Sequence, residues 1–223
     1  QYGGSDADKL FSVIQFEQLA RAGTSGIGYS LHSEIVAPYI LHYGTEEQKA
    51  KYLPKLATGE MIGAIAMSEP AAGSDLQGIK STCIWQPGPS GSEPDGHYLL
   101  NGSKTFITNG WHADLVIVVA KTNPAAGGKG TSLVLVERGM PGFSVGKRLK
   151  KLGLKAQDTS ELFFDNVRIP AENLLGGKAH ENRGFICLME QLPWERLQIA
   201  VSAVAGAQAA INWTVDYVKE RKV

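Results

Sequence analysis

Residues 64–75 read Ala64-Ile65-Ala66-Met67-Ser68-Glu69-Pro70-Ala71-Ala72-Gly73-Ser74-Asp75. A β-type apolar run from Ile62 to Met67 stops at Ser68-Glu69-Pro70, and a tight polar turn with Gly73, Ser74 and Asp75 follows. Pro70 has no backbone N–H to give a sheet, and it biases Glu69 toward extended geometry. The small residues at 71–73 let a ligand approach the backbone closely.

Three zones surround this stretch. Roughly residues 5–58 read helical: Leu10, Val13, Ile14, Leu19 and Ala20 form an amphipathic stripe, and Ala22-Gly23-Thr24-Ser25-Gly26 breaks it. Ile35–Leu41 is a second helix, interrupted by Pro38. Thr45-Glu46-Glu47-Gln48 is a capping box opening a third, which runs to about Lys55. Roughly residues 60–176 read β, with short strands at Ile62–Met67, Tyr98–Leu100, Leu115–Ala120, Ser132–Val136 and Leu162–Phe164. Turn clusters such as Pro87-Gly88-Pro89-Ser90-Gly91 and Ala125-Ala126-Gly127-Gly128 separate them, which favours a barrel or sandwich over a parallel sheet. Asn101-Gly102 and Asn109-Gly110 read as hairpin turns. Roughly residues 181–223 are helical again: Leu197, Ala200, Val201, Val204, Ala205, Gln208, Ile211 and Val215 repeat at helical spacing, and alanines make one face small. The expected architecture is α+β: an N-terminal helical segment over residues 1–59, a central β-barrel or sandwich over residues 60–178, and the start of a C-terminal helical bundle over residues 179–223.

The 223 residues carry 22 basic and 22 acidic side chains, so the formal charge is zero. This argues against a nucleic-acid surface, which needs a basic face. Cys83 and Cys187 show neither metal spacing nor a disulfide framework, and the five histidines (32, 42, 97, 112 and 180) have no ligand spacing, so no metal site is expected. No apolar run approaches the ~18 residues of a membrane span. Asn101-Gly102-Ser103 and Asn212-Trp213-Thr214 match the glycosylation pattern by chance, since nothing else points to secretion. Gln1-Tyr2-Gly3-Gly4 opens without Met, and the helical pattern reaches Val223 with no stop signal. Both ends read as cut, so the absence of a targeting peptide carries no weight.

The 64–75 stretch closely resembles the flavin-binding signature of the acyl-CoA dehydrogenase family, and the order helices, β domain, helices is the family's order too. The resemblance implies FAD as cofactor and oxidation of acyl-CoA thioesters at the α,β bond to trans-2-enoyl-CoA. It gives Met67 and Ser68 the backbone and hydroxyl contacts to the isoalloxazine ring, with Gly73 and Ser74 in the same loop; Ser74 also contacts acyl-CoA. Ser68 stands where Thr is usual and keeps the hydroxyl; Ala71 stands where Gly is common. A second matching segment is Asn101-Gly102-Ser103-Lys104-Thr105-Phe106-Ile107-Thr108-Asn109-Gly110. Here the resemblance implies that Phe106, where Trp is frequent, packs on the flavin, that Ile107 passes it, and that Thr108 offers its hydroxyl near N5. Gly102-Ser103-Lys104-Thr105 superficially looks like the tail of a P-loop, but the Gly-Lys adjacency and upstream glycine spacing are wrong, which excludes nucleotide triphosphate binding. A third segment, Gly153–Pro170, looks like the end of the family's β domain and reads as structural.

The fourth matching segment is Glu190-Gln191-Leu192-Pro193-Trp194-Glu195-Arg196-Leu197. The family's chemistry needs a carboxylate that removes the weakly acidic α-proton, and such a base must be positioned and partly desolvated to raise its pKa. The thioester oxygen must be hydrogen-bonded as enolate-like charge develops. Most members carry the base further into the C-terminal bundle. The long-chain and isovaleryl branches carry it in that bundle's first helix, just before an Arg, and Glu195-Arg196 fits this second pattern. Glu195 is therefore the expected catalytic base, with Pro193, Trp194 and Arg196 beside it on the substrate side; Glu190 reads as a surface residue. Pro193 cannot donate to the Met189 carbonyl, so the helix is expected to kink or loosen there. The resemblance places Arg221 against the FAD of a neighbouring subunit, where a guanidinium suits a pyrophosphate.

These features together imply an acyl-CoA dehydrogenase nearest the long-chain type, passing electrons to an electron-transferring flavoprotein and assembling as a homodimer or homotetramer. The implied location is the cytoplasm of a bacterium or the mitochondrial matrix of a eukaryote. Two rivals stay open at this point: an acyl-CoA oxidase-like flavoenzyme and a non-catalytic flavin- and CoA-binding scaffold.

Overall fold

The computed structural model describes residues 2–24, 26–89 and 96–222; Ser25 of the expected helix breaker and Ser90-Gly91 of the expected turn lie outside them. Helix α1 (Lys9–Arg21) starts on Asp8, whose carboxylate accepts from the Leu10 N–H at 2.8 Å. Only Phe16 of α1 is buried, while Leu10 and Ile14 of the expected stripe are exposed.

Pro38 does not end the second helix. Instead α2 (Tyr29–Leu31) runs through a π turn (His32–Val36) into α3 (Ala37–Tyr43). Pro38 has no N–H for the Glu34 carbonyl four residues earlier, and a widened turn relieves the clash between its ring and that carbonyl. The freed Glu34 carbonyl accepts from the Gln198 side chain of the last helix at 3.3 Å. Helix α4 (Glu46–Thr58) opens with the expected capping box, Thr45 and Gln48 bonding reciprocally. Pro54 lies inside it, and Gly59 in the left-handed region closes it.

Seven strands form one curled mixed sheet: β1 (Gly63–Ala66), β2 (Thr82–Gln86), β3 (His97–Thr108), β4 (Leu115–Lys121), β5 (Thr131–Glu137), β6 (Phe143–Arg148) and β7 (Thr159–Pro170), in the order β1-β4-β2-β3-β7-β6 with β5 also on β4. The expected barrel-like domain is present, yet β1 pairs with β4 in parallel, and the chain crosses over between them. β4 is buried on both faces, with Leu115, Ile117 and Val119 toward the helices and Val116, Val118 and Ala120 toward the opposite core. Such two-sided burial explains its unbroken apolar run.

Asn101-Gly102 is not a hairpin turn. It lies inside the twelve-residue β3, at a bulge against β7. Gly102 adopts φ +145°, and a Cβ there would fall 2.2 Å from Ser81 Oγ, so the glycine serves a close backbone approach rather than a reversal. Asn109-Gly110 does turn the chain, with the Gly110 N–H bonding the Ile107 carbonyl, but it leads across to β4 rather than into an adjacent hairpin strand. Helix α5 (Gly184–Glu220) then continues without interruption through Pro193. None of the helices among the described residues is long and apolar enough to cross a membrane, and those residues hold no group of three or more His, Cys, Asp or Glu that could bind a metal ion.

Candidate active site

The 64–75 stretch folds as a strand end and a locked turn. β1 stops at Ala66. Glu69 and Ala72 exchange both backbone hydrogen bonds, at 2.8 and 3.1 Å, which places Pro70 and Ala71 at the exposed tip. Asp75 accepts from the Gln77 N–H at 3.2 Å and starts a short 3-10 turn. The motif is tied to the second matching segment, because the Thr105 N–H of β3 donates to the Ser68 carbonyl at 3.0 Å.

A cleft of about 380 Å³ opens between this loop and α5. Met67, Ser68, Gly73 and Ser74 line one side; Phe185, Met189, Leu192 and Arg196 line the other. Four expected cofactor residues, of which Ser74 is also an expected substrate residue, thus share a single cleft with Arg196, and its volume lies in the ordinary range for small-molecule sites. A Cβ on Gly73 would meet open space, so this glycine leaves the approach clear rather than filling a steric need. Met189 is the residue whose carbonyl Pro193 leaves without a helical donor.

Glu195 lies one residue before Arg196 on the adjoining face of α5, buried against α3. The Tyr39 hydroxyl donates to its Oε1 at 2.9 Å, and Tyr39 is itself fully buried. Burial raises the Glu195 pKa above the ordinary carboxylate value, partly opposed by the Tyr39 bond and the nearby Arg196 charge. Such a carboxylate is desolvated and held in place, unlike a solvated surface acid. Trp194 is half-buried, with the Lys9 ammonium 4.4 Å from its ring centre and its indole N–H lacking a hydrogen-bond partner among the described residues. Pro193 is exposed, and so is Glu190, which accepts from Tyr43 at 2.7 Å.

On β3, Phe106 takes φ +58°, the left-handed region that costs a bulky residue energy, and keeps its ring 69% exposed. A strained non-glycine residue presenting a flat aromatic face is the kind of outlier that accompanies ligand sites. Ile107 points into the core, with its carbonyl accepting from the Gly110 N–H, and Thr108 is half-buried. These features suit a flat cofactor rich in hydrogen-bonding groups, as FAD is: backbone and hydroxyl groups at Met67 and Ser68, an open aromatic at Phe106 and a hydroxyl at Thr108. Arg221 is 25 residues beyond Arg196, about 38 Å along the helix at 1.5 Å per residue, and its guanidinium rests over Tyr217. It does not join the cleft of its own protomer.

Sequence reasoning missed Tyr39, Phe185, Met189 and Leu192, along with the buried pair Lys104–Glu69, whose charges lie 2.8 Å apart. A lysine amid the apolar alternation of a strand was the available signal for the pair. It also accounts for Gly102-Ser103-Lys104-Thr105: Lys104 Nζ is committed to Glu69 and the Met67 carbonyl, which leaves it no role on a phosphate. Asp158 of the third segment is structural, bonding the Trp111 N–H at 2.7 Å and His112 Nδ1 at 2.9 Å.

The fold thus sets a strand-end turn against a long helix that carries a buried carboxylate, with a cleft between them. The chain belongs to the acyl-CoA dehydrogenase family: residues 1–60 match its N-terminal domain, 64–167 its middle domain and 182–223 its C-terminal domain. It is 51% identical over 224 residues to the mitochondrial long-chain specific acyl-CoA dehydrogenase of Mus musculus, covering 100% of this chain and 50% of that protein. The crystal structure of an acyl-CoA dehydrogenase from Geobacillus kaustophilus superposes with a TM-score of 0.91 at 50% identity, over 100% of this chain and 56% of that one. An acyl-CoA dehydrogenase from Bacillus anthracis, solved in complex with FAD, superposes with a TM-score of 0.86 at 36% identity, over 100% of this chain and 36% of that one. The chain spans about half the length of the curated relatives it matches.

Proposed function

We propose that the intact protein is an FAD-dependent acyl-CoA dehydrogenase of fatty-acid β-oxidation, nearest the long-chain type, that converts acyl-CoA thioesters to trans-2-enoyl-CoA. The observation that carries this reading is the buried Glu195 carboxylate, held by Tyr39 at 2.9 Å and adjacent to Arg196, which lines the cleft with the Met67–Ser74 loop.

Bound FAD supplies the hydride acceptor. Glu195 takes the α-proton; its burial keeps the carboxylate basic enough to compete for a weakly acidic C–H. Arg196 and Ser74 hold the coenzyme A portion, while Pro193 and Trp194 shape the approach to Glu195. Met67, Ser68, Gly73 and Thr108 hold and orient the cofactor, Phe106 covers it, and the Ile107 backbone flanks it. Arg221 reaches the cofactor of a neighbouring subunit in a dimer or tetramer, consistent with its distance from its own cleft. An electron-transferring flavoprotein is the electron acceptor, in a bacterial cytoplasm or a mitochondrial matrix.

Anaerobic addition of a C8–C16 acyl-CoA series to the intact protein, read by flavin absorbance, tests the reading. Bleaching is expected, with a loss of about 10²–10⁴-fold in rate for Glu195→Gln, the usual worth of a general base. A bound flavin that no acyl-CoA reduces, or full-rate bleaching in Glu195→Gln, would overturn the reaction or the base respectively.

A further inference from the structure

Lys104 has no part in the chemistry above, yet its side chain is fully buried and carries a charge. Its ammonium donates to the Glu69 carboxylate at 2.8 Å and to the Met67 carbonyl at 3.0 Å. Glu69 accepts in addition from the backbone N–H groups of Lys80, at 2.5 Å, and Ser81, at 3.0 Å. Burial pushes the Glu69 pKa up, but the bonds from Lys104, Ser81 and Lys80 outweigh it, and the carboxyl ends below its ordinary range. Burial holds the Lys104 pKa below its ordinary range against the pull of Glu69; the 2.8 Å contact, with two backbone N–H groups on the same carboxylate, is that of an ion pair.

Desolvating two ions costs several kcal/mol each, and an apolar pair of the same shape often serves stability as well or better. An apolar pair would not place an ammonium on the Met67 carbonyl. No peptide bond among the described residues is cis, so the Ser68 N–H, which shares a peptide with that carbonyl, points the opposite way, away from Lys104. Met67 and Ser68 both line the cleft. A cation on an amide oxygen draws electron density through the conjugated amide and makes its N–H a stronger donor. The neighbouring Ser68 carbonyl is fixed independently by the Thr105 N–H, one residue along β3 from Lys104.

We propose that Lys104 is a positioning residue for the cofactor: locked by Glu69, its ammonium fixes the Met67–Ser68 peptide and strengthens the Ser68 N–H as a donor to the acceptor atoms of the flavin's pyrimidine side. This rests on the cofactor reading above. The role of Glu69 is to hold Lys104, so the two members of the pair are unequal.

The inequality is the test. FAD dissociation constants and bound-flavin absorption spectra are measured on the intact protein for wild type, Glu69→Gln, Lys104→Met and the double variant, at a temperature where circular dichroism shows each one folded. The amide introduced by Glu69→Gln still offers an oxygen to the Lys104 ammonium, so this variant is expected to keep FAD within about threefold of wild type. Lys104→Met and the neutral double variant are expected to weaken FAD by about tenfold or more and to shift the flavin absorption band, the scale of loss seen when a supporting contact behind a bound group is removed. If Lys104→Met does not fold, the double variant and Glu69→Gln still decide the matter. Equal losses in Glu69→Gln and the double variant, or a folded double variant with wild-type affinity and spectrum, would reduce the pair to a prop for the fold and overturn the proposal. A wild-type protein that binds no FAD at all would instead refute the cofactor reading.

Discussion

The hydroxyl of Tyr39, on a helix made irregular by Pro38, donates at 2.9 Å to Oε1 of Glu195, 156 residues later in the chain. That bond stabilises the charged carboxylate and so opposes the rise in pKa that burial causes. Tyr39→Phe removes it. The acid limb of the pH profile of kcat/KM is expected to move to higher pH, with rates converging on wild type where both enzymes are deprotonated. An acid limb that stays in place would show that Tyr39 only packs. The cost in stability is about 1–3 kcal/mol, the usual effect of leaving a buried acceptor without its donor.

The raised pKa of Glu195 has a signature in stability. Between the unfolded carboxyl pKa and the higher folded one, the native state binds more protons than the unfolded chain, so stability falls as pH rises through that window and remains lower above it. Glutamine carries no such penalty. Glu195→Gln is expected to melt higher than wild type at pH 8, with the difference shrinking toward pH 4, where the glutamate is protonated in both states. Thermal melts at the two pH values read this directly; a difference independent of pH would contradict the raised pKa.

Phe106 is held at φ +58° with its ring largely exposed. Asparagine tolerates the left-handed region far better, so Phe106→Asn is expected to stabilise the FAD-free protein by about 1 kcal/mol, within the 1–2 kcal/mol that this geometry costs a larger residue. The same change is expected to weaken FAD, because it removes the flat face. Opposite signs in the melting temperature of the FAD-free protein and in FAD affinity would identify the strain as functional; a loss in both would mark Phe106 as ordinary packing.

Arg196 lines the cleft across from Ser74. For Arg196→Ala the KM for acyl-CoA is expected to rise about 10–100-fold, the equivalent of one charge-assisted hydrogen bond at roughly 1.5–3 kcal/mol, with kcat falling less. Steady-state kinetics at saturating substrate separate the two parameters, and an unchanged KM would remove Arg196 from the substrate site.

Local chemistry was legible in the sequence wherever a few neighbouring residues decide the outcome. The capping box at Thr45 and Gln48 and the apolar run of β4 appear where their residues place them, and the strand end falls at Ala66, one residue before the Met67 expected. The misreadings share a cause: distant partners override a local signal. Asn101-Gly102 has the composition of a turn but lies within β3, because β2 on one side and β7 on the other pair with it. β2 and β6 carry too many polar and half-exposed residues for a clear period. Pro38 reads as an interruption of its helix, whereas a π turn and a side chain from α5 absorb its missing donor and let the helix continue. The cleft had the same limit. Its motif residues could be read from sequence, but their buried supports on α3 and β3 became visible only with the fold.

The cleft borrows its framework from β3. The Thr105 N–H and the Lys104 ammonium hold the Met67–Ser68 stretch, and β3 in turn is paired along most of its length with β7, which ends at Pro170. Pairings this distant in sequence form late, since the entropy of loop closure is lost before they contribute. A nascent chain that has just completed residues 64–75 therefore has the flavin motif's letters without its shape. On the function proposed above, the seat for the cofactor is complete only after about a hundred further residues have been made and the last strand has zipped onto β3, so that cofactor capture would close folding rather than seed it.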